Sequence, residues 1–197
     1  RETEGQILCQ NGEAVEAYYF STSAGVTSTD EIWGSDEAAP YLRSVPCKFD
    51  EEEPWSSWIV ELPWKMLEDR IREKGEGTVL RSVTVTRRSE SGAATALEAV
   101  SDKDSCIIEN EYEIRKFLAP VNCMITEKDG TETAGGSLLP SAYFELERTQ
   151  NGNLQVRGKG YGHGVGMSQT GADKMAEQGY DYREILDYFF RNITVEN

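Results

Sequence analysis

"SAYFELERTQNGNLQVRGKGYGHGVGMSQTGA", residues 141–172, decides how this chain is read. Its first half alternates apolar and polar residues on either side of Asn151-Gly152, which marks a β-hairpin. The second half places glycine at every second position from Gly158 to Gly166 and holds the single histidine of the chain, His163. The returning strand of the hairpin runs directly into these glycines, so the tract is expected to continue it. With a period of two, all five glycines then share one face, and Lys159, Tyr161, His163, Val165 and Met167 share the other. Glycine weakens a strand, so five of them ask for the close approach of a ligand or of another backbone. A chain of tight bends and bulges is the alternative reading.

Behind the tract, "SQTGADKMAEQG" has Ser168 as helix cap and Gly179 as terminator, and "DYREILDYFF" follows with a capping box from Asp181 to Glu184. The tail "NITVEN" is expected to return to a sheet. At the other end, "GQILCQNGEAVEAYYFS" reads as a hairpin about Asn11-Gly12, and residues 22–42 as a long surface loop rich in small and turn-forming residues. "CKFDEEEPW" reads as a solvated acidic run. "PWKMLEDRIREKGEG" is a short amphipathic helix with Pro63 in its first turn, Leu67 and Ile71 four apart, and Gly75 as its stop. "VLRSVTVTRR" and "ATALEAV" read as strands joined at Ser91-Gly92, and "NEYEIRKFLAP" as a helix opened by Asn110 and Glu113 and closed before Pro120. This mixed order does not suit a doubly wound parallel sheet. The expected fold is α+β, a mainly antiparallel sheet with several helices, in a single domain over residues 1–197 with an inserted lobe at about 48–130.

Composition narrows the function. A chain of 197 residues with 38% hydrophobic content can bury a core, and 35 acidic residues against 20 basic ones give a net charge of −15. That field repels nucleic acid and anionic lipid surfaces. No stretch approaches the roughly 20 apolar residues of a membrane span. Arg1 in place of an initiating methionine reads as a cut rather than a natural start. Cys9, Cys47, Cys106 and Cys123 form no C-x-x-C pair, so no metal site is expected; a bridge between Cys106 and Cys123 and four buried thiols both stay open.

The tract fails the G-x-G-x-x-G pattern at every register, and no G-K-[ST] is present. What remains is a bare loop feeding a helix start at Ser168. His163 is read either as a satisfied structural residue or as an unshielded ring that hydrogen-bonds a ligand. Ser21, Ser23 and Ser168 are possible nucleophile partners for it, but no G-x-S-x-G elbow supports the pairing.

The string "GYGHGVGMSQTGADKMAEQG" followed by "YDYREILDYFF" resembles the closing signature of the SpoIID/LytB family of bacterial cell-wall proteins. "AYYFSTSAGVTSTDEIWG", "YLRSV", "EIRKFL" and "LLPSAYFEL" reinforce the likeness. The resemblance implies an extracytoplasmic, cell-wall-associated lytic transglycosylase acting on peptidoglycan glycan strands in sporulation or wall remodelling, with no cofactor and with other cell-wall hydrolases as further partners. Such an enzyme uses one glutamic acid, first as acid and then as base, while the muramic acid hydroxyl closes an anhydro ring. The family's glutamate belongs to an E-M-P type segment ahead of the first hairpin, which is not found in these 197 residues. The catalytic acid is therefore unassigned, and Glu31, Glu61 and Glu145 lie outside the family's catalytic context. Phe20 lies within a stretch where some relatives of that family put histidine. On matching positions, the resemblance implies a substrate-binding role for Ser21, Thr22, Ser23, Tyr161, His163, Ser168 and Gln169. Tyr18, Tyr19 and Trp33 are candidates for stacking on sugar rings or for the core. The alternative function is a noncatalytic glycan-binding module or amidase modifier.

Overall fold

In the computed structural model, which describes residues 3–196, the chain folds into an α+β structure whose strands pair almost entirely antiparallel. The chain opens with β1 (Ile7–Gln10) and β2 (Glu13–Ala14), joined through Asn11 and Gly12, both at positive φ as a tight hairpin turn requires. β3 (Tyr19–Phe20) follows, and then the expected loop, broken by one 3₁₀ turn at Asp30–Trp33. A second 3₁₀ turn at Pro54–Ser56 leads into β4 (Trp58–Leu62) and α1 (Trp64–Glu73), which buries Leu67 and Ile71 and begins directly after Pro63. β5 (Leu80–Arg88), β6 (Ala94–Ser101) and β7 (Ser105–Glu109) form a three-stranded sheet. α2 (Glu111–Phe117) starts where the Asn110 side chain accepts a hydrogen bond from the Glu113 amide at 3.0 Å.

Then come β8 (Met124–Glu127), β9 (Glu132–Ala134), β10 (Phe144–Arg148) and β11 (Leu154–Gly158), and with β4 they make a five-stranded sheet in the order β10-β11-β4-β8-β9. The chain closes with β12 (Met167–Ser168), α3 (Gln169–Glu177), α4 (Tyr182–Phe189) and β13 (Thr194–Glu196). Ser168 caps α3 and the Asp181–Glu184 box caps α4, as the sequence pattern predicts, and β13 pairs with β1. No described helix is long and apolar enough to cross a membrane.

Two cores meet in this arrangement. One gathers Val60, Leu67, Leu97, Ile114, Ile125 and Val156 from both large sheets and from α1 and α2. The other gathers Ile32, Leu42, Val165, Met175, Phe189 and Phe190 around the end of the glycine tract and under α3 and α4. Ala93–Ala94 and Tyr143–Phe144 cross from one to the other. β11 pairs with β4, so the final hairpin shares a sheet with part of the residue-48-to-130 region, and both contribute to one core.

The glycine tract departs from the extended reading. Only Gly158 lies in β11; Gly160, Gly162, Gly164 and Gly166 all have positive φ, so the chain turns at alternate residues and its period-two faces are lost. The turns wind the tract along residues 18–28. Thr22 bridges Tyr161 in antiparallel fashion, Ser28 bridges Val165 in parallel, and β12 pairs with β3 in parallel. The bare positions are filled by the protein itself. The Trp58 ring lies over Gly158, where an added Cβ would meet it at 2.0 Å. At Gly166 an added Cβ would meet the Tyr18 carbonyl oxygen at 2.2 Å, at φ +79°.

This packing sets an expected pair of outcomes. Gly166→Ala combines left-handed strain with a backbone clash and should lose ~3 kcal/mol or more in denaturant unfolding. Gly136→Ala, with open space around it and no positive φ, should stay within about 0.5 kcal/mol of the parent protein. Equal stability of the two variants would contradict the wound tract.

Candidate functional site

The residues singled out by sequence do come together around the tract, but the group that assembles several of them is Asp50. Read as part of a solvated acidic run, Asp50 is instead only 1% exposed. Its carboxylate accepts from the Ser23 amide at 2.8 Å and the Ser23 hydroxyl at 2.7 Å, from Ser168 Oγ at 2.6 Å and from Thr170 Oγ1 at 3.2 Å. A buried carboxylate is tolerated when it is this fully hydrogen-bonded. Cys47 Sγ lies 3.6 Å away, and burial together with the Asp50 charge pushes its thiol up to about 12. All four cysteines are free thiols.

The hydroxyls of Ser23 and Ser168 are therefore engaged inside the protein. Thr22 is buried too, its hydroxyl 3.3 Å from Ser21 Oγ and from Thr170 Oγ1. Ser21 is half-buried and its carbonyl accepts from the Thr170 amide at 3.0 Å. Tyr161 and Gln169 are exposed. Tyr161 stands edge-on to Trp55, with ring centroids 4.6 Å apart, over a hollow of about 410 Å³ that also meets Ser137 and Pro140.

His163 is half-buried. Its ring sits edge-on to Trp33 and Phe20, with centroids at 5.2 and 5.8 Å, and its Nδ1 accepts the Val165 amide hydrogen at 3.1 Å. Accepting at Nδ1 requires the neutral ring. Burial is the main cause that holds its pKa below the ordinary value; Arg115 adds to the depression, while Glu111 and the Tyr19 backbone oppose it. Beneath it, Glu111 and Arg115 form a buried ion pair, and the Arg115 guanidinium also donates to the carbonyls of Leu139 at 2.8 Å and Pro140 at 3.2 Å.

The open space runs along the side of the tract. A cleft of about 530 Å³ begins at Glu31, Trp33 and Gly34 and is walled by Arg87, Arg88, Ser89, Glu90, Glu109 and Asn110. Neighbours in a regular strand point to opposite faces, yet Arg87 and Arg88 both line this cleft. The β5–β6 register shifts between Val85 and Arg87 and again between Arg87 and Arg88, and such a bulge re-aims side chains. Arg88 is shared with a second hollow of about 270 Å³ against Tyr143, Arg157 and Lys159. Ala24 and Lys159 are shared in turn with a third, of about 300 Å³, reaching Ser56, Ser57 and Lys128. Three hollows thus follow one another through shared lining residues, a groove of mixed polar and apolar lining. Of the residues expected to bind substrate, Ser23 lines it; among the residues that sequence reasoning left out, Arg87, Arg88, Arg157 and Asp50 carry its walls and their support. No group of three or more His, Cys, Asp or Glu side chains among the described residues is placed to hold a metal ion.

Two outcomes follow from these contacts. Asp50→Ala strands the Ser23 amide and leaves the Ser23, Ser168 and Thr170 hydroxyls only the carbonyls of Cys47 and Ser21 to donate to, and should cost about 2–4 kcal/mol in chemical denaturation, with Asp50→Asn intermediate because one acceptor oxygen survives. For His163, the folded pKa lies below the unfolded one, so the unfolded chain binds more protons between the two values. The contribution of His163 to stability is then fully present above about pH 6.5, the ordinary histidine value, and falls as the pH drops towards the folded pKa. The difference in unfolding free energy between the parent and His163→Gln should shrink on acidification through that window, and a difference that grows would reverse the assignment.

The family model described as "Domain of unknown function (DUF8618)" matches residues 43–166. The chain is 30% identical to the stage II sporulation protein D of Bacillus amyloliquefaciens and 29% identical to that of Bacillus subtilis (strain 168), over 98% of this chain and 48% of each relative. It is 22% identical to the amidase enhancer of Bacillus subtilis (strain 168), over 98% of this chain and 31% of that relative. The chain thus spans about half the length, or less, of the curated relatives it matches. On the family match across its centre and the relatives aligned along nearly its whole length, the chain belongs to the DUF8618 family and is a protein of the SpoIID/LytB type.

Proposed function

We propose that this chain binds the glycan strands of peptidoglycan outside the cytoplasm, in sporulation or cell-wall remodelling, as the strand-holding part of a lytic transglycosylase. The observation that carries this reading is the row of three hollows linked by shared lining residues, two of which meet the glycine tract at Lys159. A polymer needs an open-ended channel rather than a closed pocket, and a sugar chain needs polar partners for its hydroxyl and acetamido groups with an aromatic face for its ring. Trp33 at one end, the Arg87–Arg88 pair, and Ser56 and Ser57 at the other supply these. The names of the relatives, stage II sporulation protein D and amidase enhancer, support a cell-wall setting.

Cleavage asks for more than binding. Breaking a glycosidic bond with closure of an anhydro ring needs a carboxyl group that protonates the departing oxygen and takes the proton of the attacking hydroxyl. The deeply buried carboxylates Asp50 and Glu111 are each tied by hydrogen bonds or an ion pair, and Glu31, Glu90 and Glu109 on the groove wall belong to its charged rim. A second reading, a noncatalytic glycan-binding module that modifies an amidase, is favoured by this engagement of the buried acids. Sedimentation of the chain with purified glycan strands, followed by mass spectrometry of the released sugars, tests both. Binding by this chain together with anhydromuramoyl ends released by the full-length protein is the transglycosylase outcome, and binding with no such ends released by the full-length protein is the noncatalytic one. A chain that stays in solution at every glycan concentration overturns the proposal.

A further inference from the structure

We infer that the middle of the groove holds a carboxylate-binding subsite formed by Lys159, Arg157 and Arg88; the inference rests on the glycan-binding reading above. In a chain of net charge −15, the local balance here is reversed. Three cations and one carboxylate, Glu145, line the second hollow. The fold produces this convergence. Arg157 and Lys159 are two residues apart, and the Lys159 amide still pairs with the Tyr143 carbonyl at 2.9 Å, so both side chains leave the same face of the chain. Arg88 arrives from the end of β5 in the other sheet. Its guanidinium is fixed by donating to the Gly92 carbonyl at 3.1 Å, the Phe144 carbonyl at 2.8 Å and Glu145 Oε1 at 2.9 Å.

That anchoring engages Glu145 and leaves Lys159 and Arg157 with little compensation from the described residues. The Lys159 ammonium makes no hydrogen bond or ion pair with the described residues, and Arg157 reaches only Glu147, at 3.9 Å. Such an arrangement matches a single negative charge delivered along the groove. A carboxylate suits it better than a phosphate, because Glu51, Glu52 and Glu145 stand close by and a doubly charged ligand would be repelled more strongly. A glycan strand can bring that carboxylate from two sources. The lactyl ether of muramic acid ends in one when no peptide is attached, and an attached stem peptide carries others.

The experiment titrates the folded chain, at low salt, with four polymers: chitin oligomers, peptide-free glycan, the same glycan with its carboxyls converted to methylamides, and peptide-bearing glycan. Lys159→Gln and, as a distant control, Lys65→Gln are titrated beside the parent. The parent should bind at least one carboxylate-bearing glycan about three- to tenfold more tightly than the amidated one. Lys159→Gln should erase that preference, and Lys65→Gln should keep it. Preference for the peptide-free strand assigns the lactyl carboxylate, and preference for the peptide-bearing strand alone assigns the peptide. Equal binding of free and amidated glycans by the parent, or a preference that survives in Lys159→Gln, overturns the subsite while leaving glycan binding intact. Failure to bind any of the four polymers removes the glycan reading and the subsite together.

Discussion

The buried carboxylate of Asp50 ties three distant stretches of chain into one place. Its donors come from Ser23 in the serine-and-threonine loop and from Ser168 and Thr170 at the start of α3, and it sits itself three residues after Cys47. Without it the Ser23 amide would be a buried donor with no partner, and without its donors Asp50 would be an unpaired buried charge. Neither side is tolerable alone, so the network specifies the fold as a unit. The parallel pairing of β3 with β12, the entry into α3 and the course of the glycine tract all lie within a few residues of it.

The tract itself is a backbone-packing device. Glycines at alternate positions allow four successive turns and let the chain lie against residues 18–24 and the Tyr143 ring at distances a side chain would forbid. His163 completes the winding, since its Nδ1 satisfies the Val165 amide two residues on, between the Trp33 and Phe20 rings. Its neutral form is the one that can accept that hydrogen. The groove therefore draws its chemistry from the flanks of the tract, from Trp33, Arg88 and Lys159, while the imidazole stiffens the wall behind them.

Local signals made much of this legible in the sequence. Asn11-Gly12, the Ser168 cap, the Asp181–Glu184 box and the Leu67–Ile71 spacing act through neighbours in the chain, and each stands where its pattern places it. Asp50 was hidden because its surroundings in sequence, three consecutive glutamates and a lysine, are those of a solvated run, while its partners lie 27, 118 and 120 residues away. The Arg87–Arg88 bulge was hidden for a related reason. Strict alternation assigns those two residues to opposite faces, and only the register with β6 reveals the extra residue. β4 escaped as well, since its pairing with β11 joins residues about a hundred positions apart.

The same distinction explains why the substrate-binding residues implied by family resemblance divide as they do. Ser23 and Ser168 stand in recognisable strings because a hydroxyl at each is needed to neutralise Asp50, and a hydroxyl consumed that way has little left to offer a sugar. Tyr161 and Gln169 escape the network and remain at the surface. Lys159 lies in the same glycine-rich string, yet its side chain faces the groove and its ammonium makes no hydrogen bond or ion pair with the described residues, so nothing in the packing requires a cation there. A position fixed by packing and a position free to meet a ligand can sit one residue apart in a single motif, and their hydrogen-bond partners separate the two.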